Sequence, residues 1–72
     1  MHGLTKKQRE VLDAVVDYID EHNESPTIRE ISEVTGQPIS LVHRRLEALE
    51  VKHYIQRNYK KQRSIQLTQR SL

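Results

Sequence analysis

Five residues between positions 37 and 44, Gln37, Ser40, Leu41, His43 and Arg44, are of types that can read the edges of base pairs. Arginine donates to both guanine acceptors in a major groove, serine donates or accepts, and leucine offers apolar surface to a thymine methyl. Turning ~100° per residue sets Ser40 and Arg44 nearly opposite Ile39, Val42, Leu46 and Leu49, with Gln37, Leu41 and Ala48 beside them. His43 and Arg45 fall on the flanks, His43 within reach of a base and Arg45 of a backbone phosphate. A helix meant only for solvent more often carries Glu and Lys pairs, and has little reason to expose Leu41 among polar neighbours.

A second set of cations lies further on. Arg57, Lys60, Lys61 and Arg63 surround one short segment, residues 59 to 62, and suit the phosphate backbone or a minor groove. Lysine and arginine there also discourage edge-to-edge strand pairing, and one hairpin can serve both purposes. Arg29 stands in the first turn of a helical pattern, where the macrodipole disfavours a cation and a neighbouring phosphate would favour it. Other chemistry is poorly provided for. His2, His22, His43 and His53 are scattered rather than set at metal-ligand spacing, and there is no glycine-rich phosphate loop or H-E-x-x-H pattern. Ser40 and His43 have the types of a nucleophile and a base, but a short helix at i and i+3 supplies no oxyanion pocket. No enzyme activity, metal, cofactor or small-molecule substrate is expected.

Three helices and a hairpin must hold these groups in place. Thr5 and Gln8 have capping-box spacing, and Val11, Leu12, Val15, Val16 and Ile19 follow as one apolar face. Leu4 can fold back onto that face. Glu10, Asp13, Asp17, Asp20, Glu21 and Glu24 take the opposite side. His22 to Ser25 read as a loop, which Pro26 enforces by pushing Ser25 out of the helical region. Thr27 with Glu30 opens a second helix of about two turns whose stripe is Ile28, Ile31 and Val34, and Gly36 ends it. Pro38 suits the first turn of a third helix, which should run out between Val51 and His53. The period then becomes two. Residues 54 to 58 and 63 to 67 alternate as paired strands with Ile55, Ile65 and Leu67 inward, and 68 to 72 read as a frayed tail.

Size and charge agree with this plan. Seventy-two residues make one domain, here residues 1–72 with a core from 4 to 67, and a domain of this size buries ~60% of the surface its unfolded chain exposes. The fold class expected is mainly α with a small β-hairpin, a three-helix winged helix-turn-helix. No apolar run approaches the ~20 residues needed to cross a bilayer, so no membrane partner is expected. The absence of cysteine suits the reducing cytoplasm. Net charge is +2, but residues 1 to 42 carry −4 and residues 43 to 72 carry +6. Such asymmetry suits a module with one face toward phosphates and the other toward water.

Leu4-Thr5 with Gln8, Glu10-Val11, Ser25-Pro26-Thr27 with Glu30-Ile31, Gly36, Leu46-Glu47-Ala48-Leu49 and Arg63-Ser64-Ile65-Gln66-Leu67 carry, in order and spacing, a family likeness. Together they resemble the N-terminal DNA-binding domain of the LexA family of SOS repressors over nearly all of residues 3 to 67. The resemblance implies sequence-specific binding of double-stranded DNA by a transcriptional repressor, with helix 38–51 in the major groove and wing 57–63 on the backbone or minor groove. It implies Ser40, Leu41, His43 and Arg44 for bases, and Thr27, Arg29, Lys60 and Lys61 for phosphates. Three departures stand out. The turn after Gly36 is one residue shorter, Pro38 replaces a serine, and His53 stands where a glycine normally ends the third helix. Where the family's reading set tends toward Asn, Ala and Glu, Arg44 reverses a charge, so an altered base preference is expected.

In the family, a self-cleaving serine–lysine peptidase domain that also dimerises follows this one, and residues 1–72 hold none of it. A piece of a longer repressor and a small standalone protein are both compatible with the sequence. One domain covers a half-site, so a homodimer on a two-half-site operator is the expected assembly. The competing function is a protein-docking module, such as a phage or mobile-element protein seated on a host regulator or polymerase through the acidic first helix.

Overall fold

The structure, a computed structural model, describes residues 3–58, 60 and 63–68. Its elements run α1 (Lys6–His22), α2 (Ile28–Thr35), α3 (Ile39–Val51), β1 (Ile55–Gln56) and β2 (Gln66–Leu67). The expected class is therefore the observed one, three helices with a two-stranded antiparallel sheet that pairs Ile55 with Leu67 and Gln56 with Gln66.

Local chemistry sets the helix starts. Thr5 Oγ1 accepts from Gln8 N while Gln8 Oε1 accepts from Thr5 N, both at 3.2 Å. Thr27 and Glu30 repeat this at α2, with Thr27 N donating to Glu30 Oε1 at 2.7 Å. Each box satisfies two backbone donors that the first turn would otherwise leave open. At α3 Pro38 is the N-cap rather than a residue of the first turn, and no side chain caps that end.

The helix ends use left-handed residues. α1 runs one residue past the sequence expectation, through His22, and stops at Asn23 with φ 57°. Gly36 closes α2 at φ 73°, where a Cβ would be strained. After α3, His53 N donates to the Glu50 carbonyl at 3.0 Å and Tyr54 N to the Leu49 carbonyl at 2.9 Å, a Schellman motif. Its left-handed residue is His53 at φ 68°, so the histidine adopts the conformation that glycine accommodates without strain.

The core joins all five elements. Val11, Leu12, Ala14 and Val15 of α1 pack with Ile31 of α2, Val42, Leu46 and Leu49 of α3, and Ile55 and Ile65 of the hairpin region. Leu4, Val16, Ile19, Ile28, Tyr54 and Leu67 pack around the edge of this cluster. Burying one such aliphatic side chain contributes ~1.5–3 kcal/mol, so ten core positions hold a small domain together without a disulfide.

Two apolar expectations fail. Val34 is 70% exposed and Ile39 44% exposed. Steps of three residues rotate a stripe backward by about 60° each time, so Ile28, Ile31 and Val34 cannot all stay under one cover. The inward row of α2 continues instead through half-buried Ser32 and Thr35. Their hydroxyls are satisfied by donation to the carbonyls of Gln37 at 2.6 Å and Ile31 at 2.8 Å. Ile39 lies in the first turn of α3, at the open end of its apolar row. The tail expectation is also corrected at its first residue. Thr68 N donates to the Tyr54 carbonyl, and its hydroxyl donates to the carbonyls of His53 and Tyr54. Residues 69 to 72 lie outside the described residues.

Candidate nucleic-acid interface

The two capped helices and the Gly36 turn present the outer face of α3 to solvent. Ser40, His43 and Arg44 are exposed and Leu41 is half-buried, while Val42, Leu46 and Leu49 on the other side are fully buried. Ser40, His43 and Arg44 make no side-chain hydrogen bond or ion pair among the described residues. An arginine with no protein partner keeps its whole guanidinium fork for an external acceptor.

Gln37 does not belong to that face. It is 4% exposed, and its Nε2 donates to the Lys7 carbonyl at 3.3 Å and to Glu10 Oε1 at 3.2 Å. Its backbone N donates to Thr35 Oγ1 at 3.2 Å. The left-handed Gly36 reverses the chain just before it, so the side chain points back at α1 instead of continuing the spiral of α3. Gln37 precedes α3, which begins at Ile39, so the helical spiral does not set its direction. Gln37 is a strut between α1 and the turn, and its Oε1 is buried with no partner among the described residues.

The wing cations divide sharply. Lys60 is exposed, its backbone N held by Asn58 Oδ1 at 3.0 Å. Lys61 lies outside the described residues. Arg57 was expected at the DNA surface, but its side chain is only 7% exposed and its Nε stands 3.5 Å from Glu50 Oε1. Arg63 is 38% exposed, yet its guanidinium is engaged across the surface with α2. Its Nη1 and Nη2 meet Glu30 Oε1 and Oε2, each at 3.0 Å, and Nη1 also donates to Tyr18 Oη at 3.1 Å and the Ser25 carbonyl at 3.0 Å. Glu24 is 3.8 Å away, and the guanidinium lies 5.8 Å from the centre of the Tyr18 ring. Arg57 and Arg63 are thus committed to contacts within the protein, Arg63 while still partly exposed, and Lys60 is the described wing cation whose side chain is exposed with no ion pair among the described residues.

The electrostatics of the Arg63 contact follow from its geometry. Hydrogen bonds from Arg63, then from the Thr27 backbone and Tyr18, hold the Glu30 carboxyl down at about 2. Glu30 in turn raises Arg63 above its ordinary value. Ser25, Tyr18 and Glu30 had no assigned part in the wing from sequence, yet they form its anchor.

Of the remaining expected contacts, Arg29 is exposed on the first turn of α2. Thr27 is half-buried, with its backbone N and its hydroxyl oxygen engaged in the capping box. Arg45 is half-buried along α3, with Nη1 buried and without a partner among the described residues. The described residues contain no group of acids and histidines able to hold a metal ion.

Three packed helices, a tight α2–α3 turn and a small antiparallel wing define a winged helix-turn-helix domain. Residues 1–64 match the family model of the LexA DNA binding domain, and the chain belongs to that family. It is 43% identical over 70 residues to the LexA repressor of Thermosipho melanesiensis, a match covering 97% of this chain and 35% of the relative. The LexA repressor of Caldicellulosiruptor saccharolyticus is 45% identical over 65 residues, covering 89% and 32%. That of Koribacter versatilis is 37% identical over 68 residues, covering 93% and 32%. The chain therefore spans about a third of the length of these relatives.

Proposed function

We propose that this chain binds double-stranded DNA in a sequence-specific way and represses transcription by occupying its operator, with α3 in the major groove. The observation that carries this reading is the solvent-facing row Ser40, His43 and Arg44, without side-chain partners among the described residues, on the second helix of a helix-turn-helix in a LexA-family domain. Leu41 adds apolar surface within the row. Arg29, Arg45 and Lys60 contact phosphates around the groove, and Thr27 sets the first turn of α2 beside the backbone. Arg44 selects a guanine through its fork. Repression of this kind works by occupancy in the cytoplasm and needs no catalytic step or cofactor. Because one such domain covers one half-site, two copies occupy a two-half-site operator.

Selection of preferred duplexes from a random pool, followed by titration at two salt concentrations, tests the reading. A defined motif is expected, with log K falling against log salt by ~0.9 for each phosphate neutralised. Absence of duplex binding even at low salt would sink it and turn attention to the acidic face of α1 as a protein-docking surface.

A further inference from the structure

Arg63 meets a carboxylate that already has another task. Glu30 Oε1 accepts from Thr27 N and from Arg63 Nη1, while Oε2 accepts from Arg63 Nη2 and Tyr18 Oη. Two oxygens thus take four donors, a nearly full complement. Two residues further on, just before β2, Ile65 N donates to Ser25 Oγ at 2.9 Å, and Ser25 Oγ donates onward to the Pro26 carbonyl. The returning arm of the wing is therefore fastened to the segment leading into α2 at two points. Arg57 holds the outgoing arm to α3 through Glu50.

We infer that Arg63 is a positioning residue: its fork on Glu30 locks the wing to the first turn of α2, and so fixes where Lys60 meets the backbone when α3 is seated in the groove. The inference rests on the DNA-binding reading and assigns Arg63 an action through Lys60. A lysine at position 63 would keep the charge but, with one compact ammonium in place of two nitrogens in a planar fork, would lose the parallel pair of bonds to the two carboxylate oxygens. It therefore separates charge from geometry.

The test combines two measurements on the whole chain. First, Arg63→Lys, Lys60→Ala and the double variant are titrated with the selected duplex at several salt concentrations, well below each melting temperature. In the wild-type background Lys60→Ala lowers affinity on every sequence and reduces the salt slope by about 1. Arg63→Lys should produce a similar loss, and adding Lys60→Ala to it should then change little. Additive losses would overturn the positioning role, because a purely structural contribution leaves the Lys60 contact intact. Retained affinity and slope in Arg63→Lys would overturn it as well, since a direct phosphate contact tolerates lysine.

Second, backbone order parameters of Gln56 and Gln66 are measured without DNA in wild type, Arg63→Lys and Glu30→Gln. Values near ~0.85 are expected in the wild type, with a fall toward ~0.6 in both variants. Unchanged values would show that the fork does not fix the wing. This second arm remains decisive if wild-type protein fails to bind any duplex, an outcome that would instead remove the DNA reading.

Discussion

The outer face of α3 and the stem of the wing are both rich in arginine, yet the protein treats them in opposite ways. Arg44 has no partner among the described residues, whereas Arg57 is paired with Glu50 and Arg63 with Glu30. A cation can bind an external acceptor only to the extent that it is not already answered within the fold. Charge counted along a sequence therefore overstates the surface available to DNA. On the wing two of the expected arginines are spent on architecture, while on α3 the chemistry stays open.

The largest effect that could break this contrast is on α3. Arg44→Ala should cost ~1–3 kcal/mol on the preferred duplex and relax one base position, with little change in melting temperature. Binding isotherms on the selected site and its single-base variants measure both, and equal loss on all of them would remove Arg44 from base reading. Gln37→Ala should do the reverse. Losing a buried amide that ties the turn to α1 should lower stability by ~1–3 kcal/mol, read as a shift in denaturant midpoint, while the selected motif keeps its bases. A changed base at one position would return Gln37 to the reading face.

His53 joins the two regions, so its substitution sharpens the comparison without touching either. Glycine at this left-handed position relieves backbone strain but loosens the unfolded chain, and His53→Gly should leave a net gain of ~0.5–1 kcal/mol in thermal unfolding. A loss would mean that the histidine side chain contributes more than its conformation costs. The subtlest effect concerns pH. The Glu30 carboxyl is lowered from 4.5 to about 2 in the fold, so the stability it contributes is present above 4.5 and lost as pH falls toward 2. The melting-temperature gap between wild type and Glu30→Gln should be constant above that window and close within it. A gap that stays constant to pH 2 would contradict a charged clasp.

Much of this organisation was legible from residue types and spacing. Both capping boxes, the αL turn at Gly36, the buried row of Val42, Leu46 and Leu49, and the inward Ile55 and Ile65 are local or periodic signals, and these are the ones that held. The exposed row on α3 was readable for the same reason, since one helix carries it. Gln37 was missed because its direction depends on a turn, where no period applies. The wing arginines had a signal that charge obscured. Alternation places Arg57 on the side of Ile55, and Arg63 on the side of Ile65 and Leu67, so the pattern that turned the isoleucines inward buries Arg57 and brings Arg63 over the edge of the same face, where it stays partly exposed. Their acceptors, Glu50 and Glu30, lie on other elements, and no spacing along the chain discloses them.

The clasp also bears on the order in which the molecule assembles. Arg63 reaches partners 33, 38 and 45 residues earlier in the chain. Helical turns form from neighbours, whereas such distant pairs must await a chain already brought together, because the entropy of closing the loop is lost before the bonds repay it. The clasp therefore has nothing to grip until α1 and α2 have docked. The clasp is thus expected to form late and to open early, so exchange of the amides of Gln56 and Gln66 with solvent should run ahead of exchange around Leu46.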